Sequence, residues 1–196
     1  MIISINPQNP QMRLINRVCE TLEKGGLIGY PTDSFYGIGC DLRNKRGIQL
    51  IHRLKNRDVK QPLSMVCDSL KEISSYAKVS NFAYKTMKRC LPGPYTFILE
   101  ATQLVPKIML TKRKTVGIRI PDHPICLAIV RTLGRPMINT SAGLDDAYAI
   151  QEEFRPHLEV VIDGGPLIPE PSSVISLIDD IPEVMRKGKG DVSSFF

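Results

Sequence analysis

Residues 27–37 read Leu27-Ile28-Gly29-Tyr30-Pro31-Thr32-Asp33-Ser34-Phe35-Tyr36-Gly37: a short apolar run, a proline, then a small polar turn. The run predicts a buried strand over 27–30 entering a Gly-rich turn from 31 to 39. Upstream, Leu14, Ile15, Val18, Cys19 and Leu22 recur at helical spacing. Asn9 reads as that helix's cap, Pro10 suits its first turn, and Gly25-Gly26 stops it. Downstream, Ile48, Ile51 and Leu54 predict a second helix over 45–55. Helix, strand, turn and helix in succession argue for a sheet flanked by helices.

The rest of the chain continues the alternation. Residues 63–67 form a short apolar strand, and Ser69 and Ser80 can each cap a following helix. Leu91-Pro92-Gly93-Pro94 halts the second of these, a rigid turn that positions the strand over 95–101. Strands are expected over 115–120 and 136–140, a helix through 128–133, and further strands near 160–162, 174–178 and 184–186. The strand-rich tail favours a mixed sheet. The expected class is α/β (α+β in some schemes): one domain over 1–196 built on a twisted, open mixed sheet.

Charge is distributed unevenly. Between Arg43 and Lys60, seven of eight charged residues are basic, with Asp58 the exception, and this segment alone equals the net +6 of all 196 residues. Such an excess after a Gly-rich turn points to an anion site. No apolar run approaches the roughly 18–20 residues that span a bilayer, and the first residues do not read as a signal peptide. A soluble, cytoplasmic protein with no membrane association is expected. The five cysteines are scattered, and His52, His123 and His157 stand at no ligand spacing from any of them. They read as structural or surface residues, and no metal site is predicted.

No phosphate-binding Gly-rich loop and no Gly-x-Ser-x-Gly elbow occurs, so side-chain cations must do the work of loop amides if a nucleotide is bound. Lys55-Asn56-Arg57 can converge on a phosphate, or can cover the carbonyls of a helix end. Arg119, which alternates with Thr115 and Gly117 just before Pro121, needs a fixed anionic partner if it faces inward. That partner is either a ligand or an internal Asp or Glu. Asn139-Thr140-Ser141-Ala142-Gly143 ends a buried strand in hydroxyl residues, which suits ligand contact or a simple turn.

In this order and spacing, Tyr30-Pro31-Thr32-Asp33, Lys55-x-Arg57, Pro62-Leu63, Pro92-Gly93-Pro94-x-Thr96, Arg119-x-Pro121 and Thr140-Ser141-Ala142 resemble the YrdC/YciO family, the threonylcarbamoyl-AMP synthases of tRNA modification. Asn9-Pro10-Gln11-x-Arg13-Leu14, Lys112-Arg113-Lys114-Thr115 and Gly190-Asp191-Val192 resemble its YciO branch. The resemblance implies a YrdC/RibB-like fold with a basic concave face. It also implies a reaction in which L-threonine, bicarbonate and ATP, carried with Mg²⁺, give threonylcarbamoyl-AMP and pyrophosphate. By the same resemblance Lys55, Arg57, Thr115, Ser141 and Arg186 would hold ATP, and Thr32, Ser64, Arg119, Thr140 and Ser173 would hold threonine.

No covalent nucleophile is assigned, and none is needed for a carbamate oxygen attacking the α-phosphorus. Two departures stand out: Gly143 replaces the Asn of the synthase pattern Ser-x-Asn, and Asp58 replaces the Pro that follows the Arg. Ser172-Ser173-Val174 and the tail Val184-Met185-Arg186-Lys187-Gly188 complete the match. The two basic stretches, 43–60 and 107–119, leave open an RNA-binding protein without synthase activity, with tRNA or double-stranded RNA as partner. A variant acting on another carbamoyl-adenylate is a third reading, and tRNA-modification proteins are possible partners.

Overall fold

The computed structural model describes residues 1–54, 63–110 and 112–195. The chain opens with strand β1 (Ile2–Ser4), which the sequence pattern did not indicate, and then helix α1 (Met12–Glu23) with Ile15, Val18, Cys19 and Leu22 buried along one face. The helix starts later than Asn9 and Pro10 led us to expect. Its first turn closes on the Gln11 carbonyl, which accepts from Leu14 N–H at 2.9 Å and Ile15 N–H at 3.1 Å. Asn6 is the cause: its Oδ1 accepts from Gln8 N–H and its own N–H donates to Gln11 Oε1, holding residues 6–9 in a turn. Gly25, at φ +89°, ends the helix as expected.

Strand β2 (Ile28–Tyr30) is followed by β3 (Gly37–Asp41), antiparallel to it with Tyr30 opposite Gly37. The expected turn over 31–39 therefore closes at Tyr36. Glycine makes the pairing possible: a Cβ on Gly37 or Gly39 would stand 3.0 or 2.9 Å from the Tyr30 ring. With both positions bare, the ring lies across them and its hydroxyl donates to Asn139 Oδ1 at 2.6 Å.

Helix α2 (Lys45–Leu54), strand β4 (Ser64–Val66) and helices α3 (Leu70–Tyr76) and α4 (Asn81–Cys90) follow. Ser69 and Ser80 cap the last two by accepting from Glu72 and Ala83 N–H. Next come β5 (Tyr95–Glu100), β6 (Thr115–Arg119), α5 (Pro124–Leu133) and β7 (Met137–Ser141). A helix absent from the expectation, α6 (Ala147–Glu153), is capped by Asp146. The chain finishes with β8 (Val160–Asp163), β9 (Ser173–Ser176) and β10 (Glu183–Arg186).

Among the described residues ten strands form one sheet in the order β1-β8-β2-β3-β7-β4-β6-β5-β9-β10. Its pairs β1/β8, β2/β8, β4/β6 and β5/β9 are parallel and the others antiparallel, so the sheet is mixed, as expected. Strand alternation divides the core in two. Ile28, Val66, Met137, Val160 and Ile162 pack with α1 and α5; Ile38, Met65, Ile118, Ile138 and Val161 lie in the cluster shared with α2, α3, α4 and α6. The side covered by α1 and α5 is left open over β4, β6 and β5, where Ser64, Gly117 and Thr96 take the place of large apolar residues. That uncovered stretch positions the site.

Ser69→Ala removes the α3 cap and should cost about 1 kcal/mol, lowering the melting temperature by about 2–4 °C for a chain of this size. Thermal melting followed by circular dichroism checks this, and an unchanged midpoint rejects the cap's contribution.

Candidate functional site

The loop between β2 and β3 is a self-bonded turn. Thr32 Oγ1 donates to the Phe35 carbonyl at 2.6 Å, accepts from Ser34 N–H at 3.1 Å and lies 3.1 Å from Ser34 Oγ. Tyr36 anchors the loop to the segment after β8, donating to the Gly165 carbonyl and accepting from Gly164 N–H.

Arg119, at the end of β6, provides the second anchor. It is 5% exposed, and its Nη2 donates to Asp33 Oδ1 at 2.7 Å and to Ser34 Oγ at 3.1 Å. Asp33 therefore supplies the internal acid that the sequence left open for Arg119. Asp33 Oδ2 accepts from Asp122 N–H at 2.9 Å, and the Asp33 carbonyl accepts from Lys189 Nζ at 2.7 Å. Arg119 Nε has no hydrogen-bond partner among the described residues.

In front of this cluster opens a cleft of about 310 Å³, at the lower end of the roughly 300–1,000 Å³ of small-molecule sites. Thr32, Asp33, Ser34 and His123 form its polar wall, Pro94, Leu167 and Ile168 its apolar wall, and Asp122 and Lys189 its charged rim. Burial lowers the pKa of His123 against the pull of Asp33 and Asp122. Burial likewise pushes the Tyr30 phenol well up, so it stays a donor to Asn139.

A polar strip crosses the open sheet. Gly39, Asn139, Ser64 and Gly117 stand side by side in register across four strands. Asn139 Nδ2 donates to Ser64 Oγ at 3.2 Å. Gly117 leaves room for Thr96, whose Oγ1 lies 3.0 Å from Ser172 Oγ. The Arg186 guanidinium closes the strip by donating to the Ser172 carbonyl at 2.8 Å. Thr115 and Ser141 share this side by alternation with Gly117 and Asn139.

The structure thus places Thr32 in the cleft lining with Arg119 buried behind it, bonded to Asp33 and Ser34, and Ser64, Thr115, Ser141 and Arg186 along the strip. Lys55 and Arg57 lie outside the described residues. The hydroxyls of Thr140 and Ser173 do not open onto the cleft. Thr140 is opposite Ile38 and alternates with Asn139, which turns its side chain to the core side of Ile38 and Ile138. Ser173 is wholly buried, donating to the Gly190 carbonyl at 2.6 Å and accepting from Gly188 N–H at 3.0 Å, so it pins the tail. Asp33, Ser34, Asn139, Ser172 and Lys189 belong to the site without having been singled out. Asp33, Ser34, Asn139 and Ser172 all stand in quoted stretches, but only strand register and the return of the tail, which brings Lys189 to Asp33, join them.

The described residues thus form an α/β domain on an open mixed sheet that carries a small polar cleft and a cation-edged strip. The family model for Sua5, YciO and YrdC, described as "Telomere recombination", matches residues 20–188, and the chain belongs to this family. The uncharacterized protein YciO of Escherichia coli (strain K12) is 42% identical over 199 aligned positions, which cover 97% of each chain. The E. coli YciO crystal structure superposes with a TM-score of 0.96 at 41% identity, covering 100% of this chain and 99% of that one. Sua5 of P. abyssi, solved with L-threonine, gives a TM-score of 0.89 at 28% identity, over 96% of this chain and 57% of that one. The threonylcarbamoyl-AMP synthase of Mus musculus is 31% identical over 173 positions, 86% of this chain and 61% of that one.

Asp33→Asn leaves the Arg119 charge buried without a counter-ion, and should cost about 3–5 kcal/mol. Urea denaturation measures the loss, and pairing the change with Arg119→Met should recover part of it. A double variant no better than the single one overturns the account of the ion pair.

Proposed function

We propose that this protein binds L-threonine in the cleft and ATP along the polar strip, and joins them through a carbamate into threonylcarbamoyl-AMP. The observation that carries this reading is the adjacency of two sites on one face, in a chain that superposes closely on a Sua5 solved with L-threonine.

In this reading the amine of threonine takes up CO₂ derived from bicarbonate and loses a proton, giving a carbamate. A carbamate oxygen attacks the α-phosphorus of ATP, a new P–O bond forms, and pyrophosphate leaves with the electrons of the broken P–O bond. Positioning and shielding from water dominate such a step, because the carbamate is short-lived in solution. Lys189 and the Asp33 carboxylate held by Arg119 would frame the charged end of the amino acid, with Leu167 and Ile168 as apolar lining.

Thr115, Ser141 and Arg186 offer hydroxyl and guanidinium contacts to the nucleotide, while Lys55 and Arg57 would meet its phosphates. Ser64, bonded to Asn139 within the strip, would meet the amino-acid end. Thr140 would contribute through its backbone, and Ser173 through the tail it holds. Magnesium would enter with ATP as part of the substrate and would offset its phosphate charge. The adenylate would then serve tRNA modification.

Incubation with ATP, L-threonine and labelled bicarbonate should release pyrophosphate and a labelled adenylate. Arg57→Ala should lower the rate by roughly 100-fold or more, as loss of a donor to developing charge does elsewhere. Absence of pyrophosphate and adduct from the unaltered protein rejects the proposal.

Gly143 gives a second test. It sits at φ +79° with nothing within 4 Å of where a Cβ would stand, and Asn is a side chain that tolerates this backbone region. Gly143→Asn should fold normally and tighten ATP binding, measured by nucleotide titration; unchanged affinity removes this position from the nucleotide site.

A further inference from the structure

Strand β5 has the cleft at one end, where Pro94 lines it, and a second concavity at the other, roughly 20 Å along the strand. This groove, of about 540 Å³, has Leu99, Leu177 and Ile178 as apolar lining. Glu100, Asp179 and Asp180 set three carboxylates around it against the one ammonium of Lys78. Glu100 pairs with Lys78, and Asp180 Oδ1 accepts from Ser80 Oγ. Asp179 has no such partner among the described residues. The groove is thus negative on a chain of net charge +6.

The opposite charge stands on the other flank of the same strand end. Lys112, Arg113 and Lys114 are all exposed, and none of them pairs with an acid among the described residues. Two consecutive residues join this basic tip to the groove: the Glu100 carbonyl accepts from Lys78 N–H, and Ala101 N–H donates to the Lys114 carbonyl. Three residues past Ala101, Leu104 is 64% exposed, a large apolar side chain beside an apolar groove that it does not line.

We propose that the groove takes the basic tip of a second copy of this chain, in a two-fold pair whose axis passes beside the end of β5. Such an interface uses the same patch on both partners, so a groove next to its own complement is satisfied twice by one rotation. Leu104 of each copy supplies the apolar contact. The exposed charges, individually weak, set register and select the partner. Bound RNA would use the tip and shun the acidic groove, and an unrelated basic segment would use the groove and shun the tip; a second copy uses both. The pair forms at the end of β5 remote from the cleft.

The test is sedimentation of the unaltered protein and of two charge-reversed variants, with melting curves to confirm folding. The unaltered protein should dimerise, with a dissociation constant that rises roughly tenfold or more between about 50 mM and about 500 mM salt. Asp179→Lys with Asp180→Lys reverses the groove, and Arg113→Glu with Lys114→Glu reverses the tip. Each variant alone should sediment as a monomer, because like charges meet at both contacts. Their equimolar mixture should regain the dimer mass, since every contact again joins opposite charges. Leu104→Ser, at an exposed position, serves if a charge variant fails to fold, and should weaken the dimer by roughly tenfold.

A monomer at the lower salt overturns the proposal and leaves groove and tip to separate partners. A dimer indifferent to salt, a groove variant that still dimerises, a mixture that stays monomeric, or unchanged affinity in Leu104→Ser overturns it equally.

Discussion

The buried pair between Asp33 and Arg119 joins parts of the chain 86 residues apart, and the site depends on it. Each partner alone would be a charge stripped of water, and such a charge is far costlier unpaired than paired. The pair therefore fixes where the loop after β2 must lie. Asp33 is also bonded by Asp122 N–H and Lys189 Nζ, so one residue gathers the loop, the start of α5 and the tail around a single point. Thr32 and Ser34 face the cleft because their neighbour is held.

The second constraint is the bareness of the sheet. Glycine at 37, 39 and 117 removes side chains where the Tyr30 ring, Asn139 and Thr96 come close. Small and polar residues then form a floor on which a planar or extended ligand can lie. The chain has no phosphate-cradling Gly-rich loop, and among the described residues Arg186 brings a guanidinium to the edge of the strip. A likeness of 0.89 in TM-score to Sua5 at 28% identity shows how far this frame persists while its side chains change.

Much of the frame was legible before any coordinates. Ser69 and Ser80 announced their helices because a cap is a local event, and the apolar faces of α1 and α2 announced theirs by period. The start of α1 was misplaced because Asn6, not Asn9, organises the preceding turn. Strand β3 was hidden by its glycines, which read as a turn until Tyr30 is seen lying on them. For the site, Arg119 was legible as a buried cation in need of an acid, but only the fold names Asp33. Ser141 and Thr140 are neighbours in sequence and opposites in space, a distinction that rests on register. His123 was read as an isolated structural or surface residue; nothing in linear spacing tells that it lines the same cleft as Thr32.

Gly188 and Gly190 are packed so tightly that a Cβ on the first would stand 2.2 Å from the Pro171 carbonyl, and on the second 2.5 Å from the Tyr95 ring. Between them Lys189 is delivered to a loop whose first contacts were made more than 150 residues earlier. During biosynthesis, then, a nascent chain that has emerged only as far as β9 already carries the turn at Thr32 but lacks the rim opposite it. The cleft is therefore complete only once translation has passed residue 190, and its charged rim belongs to a chain whose tail has docked.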